Sequence, residues 1–217
     1  MSQEITLHQL LHWLQRYAEY IEAQESYLSE LDAAIGDADH GVNMVRGMEM
    51  VRSRLMEEQG GQQDVSSLMR NVAMTLISSV GGAAGPLYGA FFLRAAKGAS
   101  TASTVTLPQL AQMFRSGLEG VQQRGKAVLE EKTMLDAMQP AVEALEAAIA
   151  KGEDTATALR AASAAAKQGM KHTIMLQASK GRASYLGARS IGHQDPGATS
   201  TYYLFLAAQE TLGTDDV

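Results

Sequence analysis

Three aspartates lie close together near the start of the chain, in the segment "LDAAIGDADHGVNM" (Leu31–Met44). Carboxylates at such short spacing repel one another unless a cation lies between them. A site with few carboxylates and open positions suits Mg²⁺, whose coordination is completed by water and phosphate oxygens. Asp32, Asp37 and Asp39 therefore form a candidate magnesium site. Their spacing favours a second interpretation equally, in which Asp37 and Asp39 are turn and N-cap residues.

A glycine-rich segment, "SSVGGAAGPLYG" (Ser78–Gly89), has the composition of an anion-binding turn. Two hydroxyls precede the glycines, and Pro86 suits the first turn of a helix. Glycines let backbone N–H groups approach an anion, and a helix N-terminus adds the positive end of its dipole. The segment lacks the G-K-[ST] ending of a P-loop. Taken alone, it is better explained as a tight helix–helix connection that needs positive φ.

A third segment, "KGRASYLGARSIGHQDPGATS" (Lys180–Ser200), combines basic residues with a helix start. Arg182 could clamp phosphate oxygens with its forked guanidinium group. Asp195 could cap a helix that begins at Pro196 and could touch a ligand. Taken singly, these are ordinary loop or capping residues. Together with the two other segments, they predict a loop that closes over a polyanion.

Composition and charge exclude several classes of protein. The net charge is −6, and no segment concentrates Lys and Arg with aromatic residues, so we expect no nucleic-acid partner. No apolar run reaches the roughly 20 residues of a membrane helix, and the polar N-terminus lacks the features of an export signal. The chain has no cysteine, which excludes disulfides and thiolate metal sites. We therefore expect a cytoplasmic protein that does not bind a membrane.

The elements that must position these segments are predicted to be helices. Apolar residues recur at spacings of three and four, and no segment alternates as a strand does, so no sheet is expected. One helix is expected to end near Ile35, and a new one to start around His40. Short connections favour antiparallel neighbours in one all-α domain over residues 1–217. About eight helices are predicted, at residues 6–24, 40–58, 64–80, 85–99, 106–123, 133–150, 154–173 and 196–212.

The three segments together resemble the DhaL family, the nucleotide-binding L subunits of bacterial dihydroxyacetone kinases. The elements "IGDADHG" and "GRASYLG…DPGATS" are long and specific, and the resemblance runs from near residue 10 to about residue 205. It implies an antiparallel barrel of about eight helices with the nucleotide at one end. The chain would then be a single DhaL-type nucleotide-binding domain.

The resemblance also implies roles for individual residues. Asp32, Asp37 and Asp39 would hold Mg²⁺ that bridges the nucleotide's phosphates, and with Arg182 they would form the catalytic group. Ala84 stands where the family often has a serine, so the backbone alone would contact phosphate there. The residues implied to bind the nucleotide are His40, Gly41, Asn43, Ser78, Ser79, Gly82, Gly125, Met134, Arg182, Asp195, Pro196 and Gly197.

Two versions of the family's chemistry exist, and the resemblance implies one of them here. In one version the L domain is fused behind a substrate-binding K domain and uses ATP. In the other, L is a free-standing subunit whose bound ADP is phosphorylated in place by a phosphohistidine carrier supplied by phosphoenolpyruvate. The phosphoryl group then passes to dihydroxyacetone held on the K subunit. The chain lacks a K domain, which favours the second version, a phosphotransferase subunit with ADP and Mg²⁺ as cofactors.

Other functions stay open from the sequence. The chain could be an ATP-dependent kinase subunit of this family that acts with another substrate-binding partner. It could also bind a transcription regulator according to its nucleotide state. A plain calcium-binding helical module would leave the glycine turn and the arginine-containing loop unexplained.

Overall fold

The structure, a computed structural model, describes residues 4–57, 64–99 and 101–213 of the chain. These residues form nine α-helices, and the predicted all-α fold is confirmed. The predicted helix end at residue 58 lies outside the described residues. Within the described ranges, each helix is too short or too polar to span a lipid bilayer. The helices are α1 Leu7–Ala23, α2 Glu25–Ile35, α3 His40–Glu57, α4 Val65–Ser79, α5 Ala84–Gly98, α6 Leu107–Gly125, α7 Leu135–Ala150, α8 Thr155–His172 and α9 Pro196–Thr211.

The helices form a closed ring. Helices α3 to α9 each pack against the next along the chain, and α1 closes the ring by packing against both α9 and α3. Helix α2 packs against the same two neighbours as α1. The two helices meet at Gln24, whose backbone (φ −112°, ψ 15°) departs from helical geometry. They therefore share one position in a barrel of eight, and α2 is the helix that the eight predicted ranges omit.

Two short strands correct the prediction that the chain contains no sheet. Strand β1 (Glu4–Thr6) pairs antiparallel with β2 (Thr104–Thr106). Three residues are too few to show the alternation by which strands are recognised in a sequence. Each strand leads directly into a helix, β1 into α1 and β2 into α6. The helix starts that follow carry capping boxes, formed by Thr6 with Gln9 and by Thr106 with Gln109.

Aromatic side chains fill the centre of the barrel. The Trp13 ring contacts the rings of Phe92 and Phe114, and all three side chains are buried. The indole N–H of Trp13 donates to the Leu204 carbonyl at 2.9 Å, so the polar atom of this ring is also satisfied. Burial of a large apolar side chain contributes about 1.5–3 kcal/mol. The packed centre leaves the end of the barrel as the place for a ligand.

Four connections meet at one end of the barrel, which we call the mouth. They are residues 36–39, 80–83, 126–134 and 173–195, and each joins two helices that are neighbours in the ring. The last connection contains two 3-10 segments, Thr173–Met175 and Arg182–Ser190. Because neighbouring helices run in opposite directions, every second connection returns to the same end. The three segments singled out in the sequence all contribute to the mouth.

Candidate functional site

A cavity of about 480 Å³ opens at the mouth and is lined by all four connections. Its size is that of a pocket for a small-molecule ligand. Three of the predicted site residues, Gly41, Ser78 and Ser79, are not part of its lining. The predicted residues that do line it are Asp32, Asp37, Asp39, His40, Asn43, Gly82, Gly125, Met134, Arg182, Asp195, Pro196 and Gly197.

The three predicted residues outside the lining have other contacts. Gly41 lies where α3 crosses α2, and a Cβ there would be 2.1 Å from the Glu25 carbonyl oxygen. The hydroxyls of Ser78 and Ser79 donate to the Thr75 carbonyl within α4, at 3.0 and 2.7 Å. Nucleotide binding by these three residues stays a prediction. Donation from either serine hydroxyl to a phosphate oxygen would require that hydroxyl to leave the Thr75 carbonyl.

The turn between α2 and α3 folds around the carboxylate of Asp32. Its Oδ2 accepts hydrogen bonds from the backbone N–H groups of Asp39 (2.9 Å) and His40 (3.2 Å). A Cβ at Gly36 would lie 2.1 Å from Asp32 Oδ1, so only glycine leaves room for the carboxylate. Asp32, Asp37 and Asp39 each place one carboxylate oxygen within 4.8 Å of the others. Local backbone geometry therefore brings together the three aspartates that the sequence singled out.

We expect Gly36→Ala to lower the free energy of unfolding by about 1–3 kcal/mol, because the added methyl group overpacks the turn. It should also weaken Mn²⁺ binding, since Asp32 must turn away from the other two carboxylates. Urea unfolding and Mn²⁺ titration check the two effects separately. Stability equal to that of the wild type would contradict the packing of Gly36 against Asp32.

The donor set of this turn fits a hard divalent cation. Three carboxylate oxygens are the ligands that Mg²⁺ and Ca²⁺ prefer. The trio is the one group of three or more potential metal-ligating side chains that the described residues bring together. Three side chains leave positions for water and ligand oxygens, as is usual for Mg²⁺.

The cavity lining contains equal numbers of acidic and basic residues, four of each. Arg182 Nη2 lies 3.0 Å from Asp37 Oδ2, so one acidic and one basic residue are already paired. A divalent cation would make the lining positive and attract an anion. The acidic residues are Asp32, Asp37, Asp39 and Asp195, and the basic residues are Arg124, Lys132, Lys180 and Arg182.

The part of the cavity lining opposite the three aspartates is apolar. A Cβ at Gly125 would lie 3.2 Å from Leu87 Cδ2, so glycine widens the cavity there. An amphipathic ligand, with a charged end and a flat apolar end, matches both halves. The apolar half is formed by Leu87, Val121, Gly125, Ala127, Met134 and Leu135.

A chain of hydroxyl groups orients His40 from inside the barrel. His40 Nε2 lies 2.9 Å from Ser200 Oγ, which lies 2.8 Å from the Tyr88 hydroxyl. The Tyr88 hydroxyl also lies 3.1 Å from Thr201 Oγ1. Burial lowers the pKa of His40 to about 4, so its imidazole is neutral at pH 7. Sequence reasoning missed these partners, because more than a hundred residues separate Ser200 from His40 and Tyr88.

Lys132 joins two of the connections at the mouth, and sequence reasoning missed it as well. Its side chain is 1% exposed, and its ammonium group donates to the carbonyls of Thr173 and His193. Burial lowers the pKa of Lys132, while the charge of nearby Asp195 opposes the shift. Lysines are mostly exposed, and a lysine among other charged residues usually lies in a solvated loop. The charged residues around Lys132 therefore gave no indication that it is buried.

A family profile described as "DAK2 domain" matches residues 34–210. The chain belongs to the DAK2-domain family. The match begins two residues after Asp32, the side chain that accepts the two backbone hydrogen bonds of the turn. In this DAK2 domain, the acidic site therefore extends slightly beyond the matched range.

Two curated relatives of this DAK2 domain align over nearly their whole length. The chain is 47% identical over 206 residues to "PEP-dependent dihydroxyacetone kinase, ADP-binding subunit DhaL" of Escherichia coli (strain K12), covering 93% of this chain and 97% of the relative. It is 42% identical over 201 residues to "PEP-dependent dihydroxyacetone kinase 1, ADP-binding subunit DhaL" of Listeria innocua, covering 93% and 94%.

A solved structure shares the barrel of this DAK2 domain. It is the dihydroxyacetone kinase from C. freundii in complex with AMP-PNP and Mg²⁺, with a TM-score of 0.72 and 25% sequence identity. The similarity covers 97% of this chain and 35% of the kinase chain, so this chain spans about a third of that protein.

The stability of this DAK2 domain should depend on pH through Asp195. Burial raises the pKa of Asp195 to about 7 from the usual 3.8. Between pH 4 and 7 the folded protein therefore keeps a proton that the unfolded chain has lost. This contribution lowers the free energy of unfolding as the pH rises through that window.

We expect Asp195→Asn to remove this contribution while keeping the cap that Asp195 Oδ2 forms with the Ala198 N–H at 2.7 Å. The free energy of unfolding of the variant, relative to that of the wild type, should increase by up to about 1 kcal/mol for each pH unit between pH 5 and 7. Asp154→Asn is the control, because Asp154 also caps a helix but the backbone N–H of Thr157 lowers its pKa. A constant difference between Asp195→Asn and wild type would contradict the prediction.

Proposed function

We propose that this chain is the ADP-binding L subunit of a phosphoenolpyruvate-dependent dihydroxyacetone kinase, a phosphotransferase. The carrying observation is the set of three carboxylates, mutually within 4.8 Å, that faces an amphipathic cavity at the mouth. The curated relatives at 42–47% identity, each named as an ADP-binding subunit, support the assignment. The site binds ADP with its diphosphate beside the aspartates and its base in the apolar half.

Asp32, Asp37 and Asp39 would hold Mg²⁺, which supplies neutralisation of the phosphate charge when it is bound. Arg182 lies at the same side of the mouth and can donate to phosphate oxygens in bidentate geometry. Gly82, in the turn before α5, has a positive φ of 65° and no atom within 4 Å of where a Cβ would be, so the backbone can approach a phosphate closely.

The remaining parts of the site position the nucleotide. Asp195 caps α9 and fixes the turn to Gly197, which lines the cavity. Met134, buried at the start of α7, borders the apolar half where the base lies. Phosphoryl transfer requires mainly positioning and charge stabilisation, so no nucleophile from this chain is needed.

The partners in this proposal are a K subunit that holds dihydroxyacetone and a phosphohistidine carrier. Both must reach the terminal phosphate, so both would bind at the mouth. Four exposed apolar side chains lie on two of the connections that form the mouth, and they are candidates for contact with these partners. They are Val128 (63% exposed), Met175 (72%), Tyr185 (86%) and Ile191 (46%).

Reconstitution tests the proposal. The isolated chain should not phosphorylate dihydroxyacetone from phosphoenolpyruvate, whereas addition of the K subunit and the phosphocarrier components should restore turnover. Native mass spectrometry of the purified chain should show retained ADP and Mg²⁺. Robust turnover by the isolated chain would contradict the proposal.

A second candidate is an ATP-dependent kinase subunit that acts with another substrate-binding partner. The related kinase whose structure contains AMP-PNP and Mg²⁺ favours it. Nucleotide exchange separates the two candidates: ADP that survives gel filtration supports the cofactor role, and rapid exchange with ATP supports the kinase role.

A further inference from the structure

One of the three clustered carboxylates is already paired with a cation of the chain itself. Arg182 Nη2 lies 3.0 Å from Asp37 Oδ2, and the two side chains are 68% and 35% exposed. A guanidinium group and a metal ion compete for the negative charge of one carboxylate. Binding of a metal through Asp37 therefore requires Arg182 to leave or to share that oxygen.

The loop that carries Arg182 is held at its base. Ser190 Oγ accepts from the Ala178 N–H at 2.8 Å and donates to the Gly187 carbonyl at 2.7 Å, and these bonds close the loop. Ser190 is fully buried, whereas Arg182 is mostly exposed near the other end of the segment. Gly181, the residue before Arg182, has a positive φ of 62° and no neighbour where a Cβ would be. The Arg182 side chain can thus change partners while the base of the loop stays closed.

We propose that Arg182 exchanges Asp37 for a phosphate of the nucleotide when the metal binds, and that this exchange makes the site select the metal–nucleotide pair over either component alone. The inference rests on the proposed function and adds a specificity-determining role for one ion pair. Metal binding frees the guanidinium group, and the nucleotide's phosphate provides its next partner.

The exchange couples the two ligands thermodynamically. Without nucleotide, a metal ion must displace Arg182 and leaves that cation unpaired beside it, so metal alone binds poorly. With nucleotide, a charge-assisted hydrogen bond to phosphate replaces the lost pair. Linkage requires the same factor in both directions, so metal strengthens nucleotide binding as much as nucleotide strengthens metal binding.

Arg182→Gln separates the two effects because it removes the charge and keeps a polar side chain. Its affinity for Mn²⁺ in the absence of nucleotide should rise by about threefold to fivefold, the range expected for an exposed ion pair. Its affinity for ADP at saturating Mn²⁺ should fall by about tenfold or more. Electron paramagnetic resonance of free Mn²⁺ measures the first quantity, and isothermal titration calorimetry with ADP measures the second.

Two further variants serve as controls. Arg189→Gln removes the same charge from the same 182–190 segment at an exposed position outside the cavity lining, and should change neither affinity. Arg182→Lys keeps a positive charge, so its affinity for Mn²⁺ alone should stay near that of the wild type. Circular dichroism melting confirms that each variant is folded.

The outcomes are distinguishable. If wild-type protein does not bind ADP in the presence of Mn²⁺, the proposed function fails. If wild-type protein binds both but Arg182→Gln binds Mn²⁺ alone no more tightly than wild type, the exchange is refuted and the proposed function stands. A rise in Mn²⁺ affinity in Arg189→Gln equal to that in Arg182→Gln would also overturn the exchange.

Discussion

Asp37→Asn is expected to weaken Mg²⁺-dependent ADP binding by roughly 100-fold or more, because loss of even a supporting partner of a metal ligand costs 10- to 100-fold. Asp37 is the best of the three aspartates for this test. Asp32 accepts two backbone hydrogen bonds, so changing it would disturb the turn as well as the metal. Asp37 pairs with the exposed side chain of Arg182, so its neutralisation should leave the barrel folded.

Titration calorimetry with ADP, in the presence and absence of Mg²⁺, measures the effect of Asp37→Asn. Asp154→Asn is a matched control, because it makes the same change in a residue that caps α8 and is absent from the cavity lining. Thermal unfolding should give similar midpoints for both variants. ADP affinity of Asp37→Asn equal to that of the wild type would reject the assignment of the metal site.

Lys132→Met is expected to lower the free energy of unfolding by about 2–4 kcal/mol, because it leaves two inward-facing carbonyl oxygens without their charged donor. The same change should weaken ADP binding, since Lys132 holds the 126–134 connection against the 173–195 connection. Methionine has a similar length, so loss of volume contributes little.

Urea unfolding measures the stability of Lys132→Met, and calorimetry measures its affinity for ADP. Lys171→Met is the control, because Lys171 lies exposed in the last turn of α8. Its stability should stay within about 0.5 kcal/mol of the wild type. Equal losses in the two variants would show that burial of Lys132 does not contribute as described.

Local features of the sequence were sufficient to predict most of the helices. Capping residues and apolar spacing act over a single turn, so helices such as α1 and α6 were placed to within two residues. The first predicted helix ended at residue 24, where the break lies, but α2 was anticipated only as a helix that ends near Ile35 and received no range of its own. Strands β1 and β2 escaped notice because their pairing joins residues about a hundred positions apart.

In the candidate site, too, features formed by neighbouring residues could be predicted, whereas contacts between distant residues could not. The three aspartates converge through one turn, which made their cluster visible in the sequence. The partners of His40 and Lys132 depend on how distant helices meet, and no local pattern encodes that. Phosphate binding by Ser78 and Ser79, implied by the resemblance, stays a prediction; in the structure their hydroxyls donate to the Thr75 carbonyl within α4.

Successive connections lie at opposite ends of the barrel. This arrangement determines where a label or a surface can be attached to the chain without covering the cavity. Helix α9 starts at the mouth and runs away from it, so the described chain finishes at the far end, where Gly213 lies against Ala156 in the first turn of α8. Strand β1, which precedes α1, lies at that far end too. A dye, an affinity handle or a sensor surface coupled at either place would point the cavity towards the solution. Association with partner proteins could then be followed on an immobilised barrel without blocking the cavity.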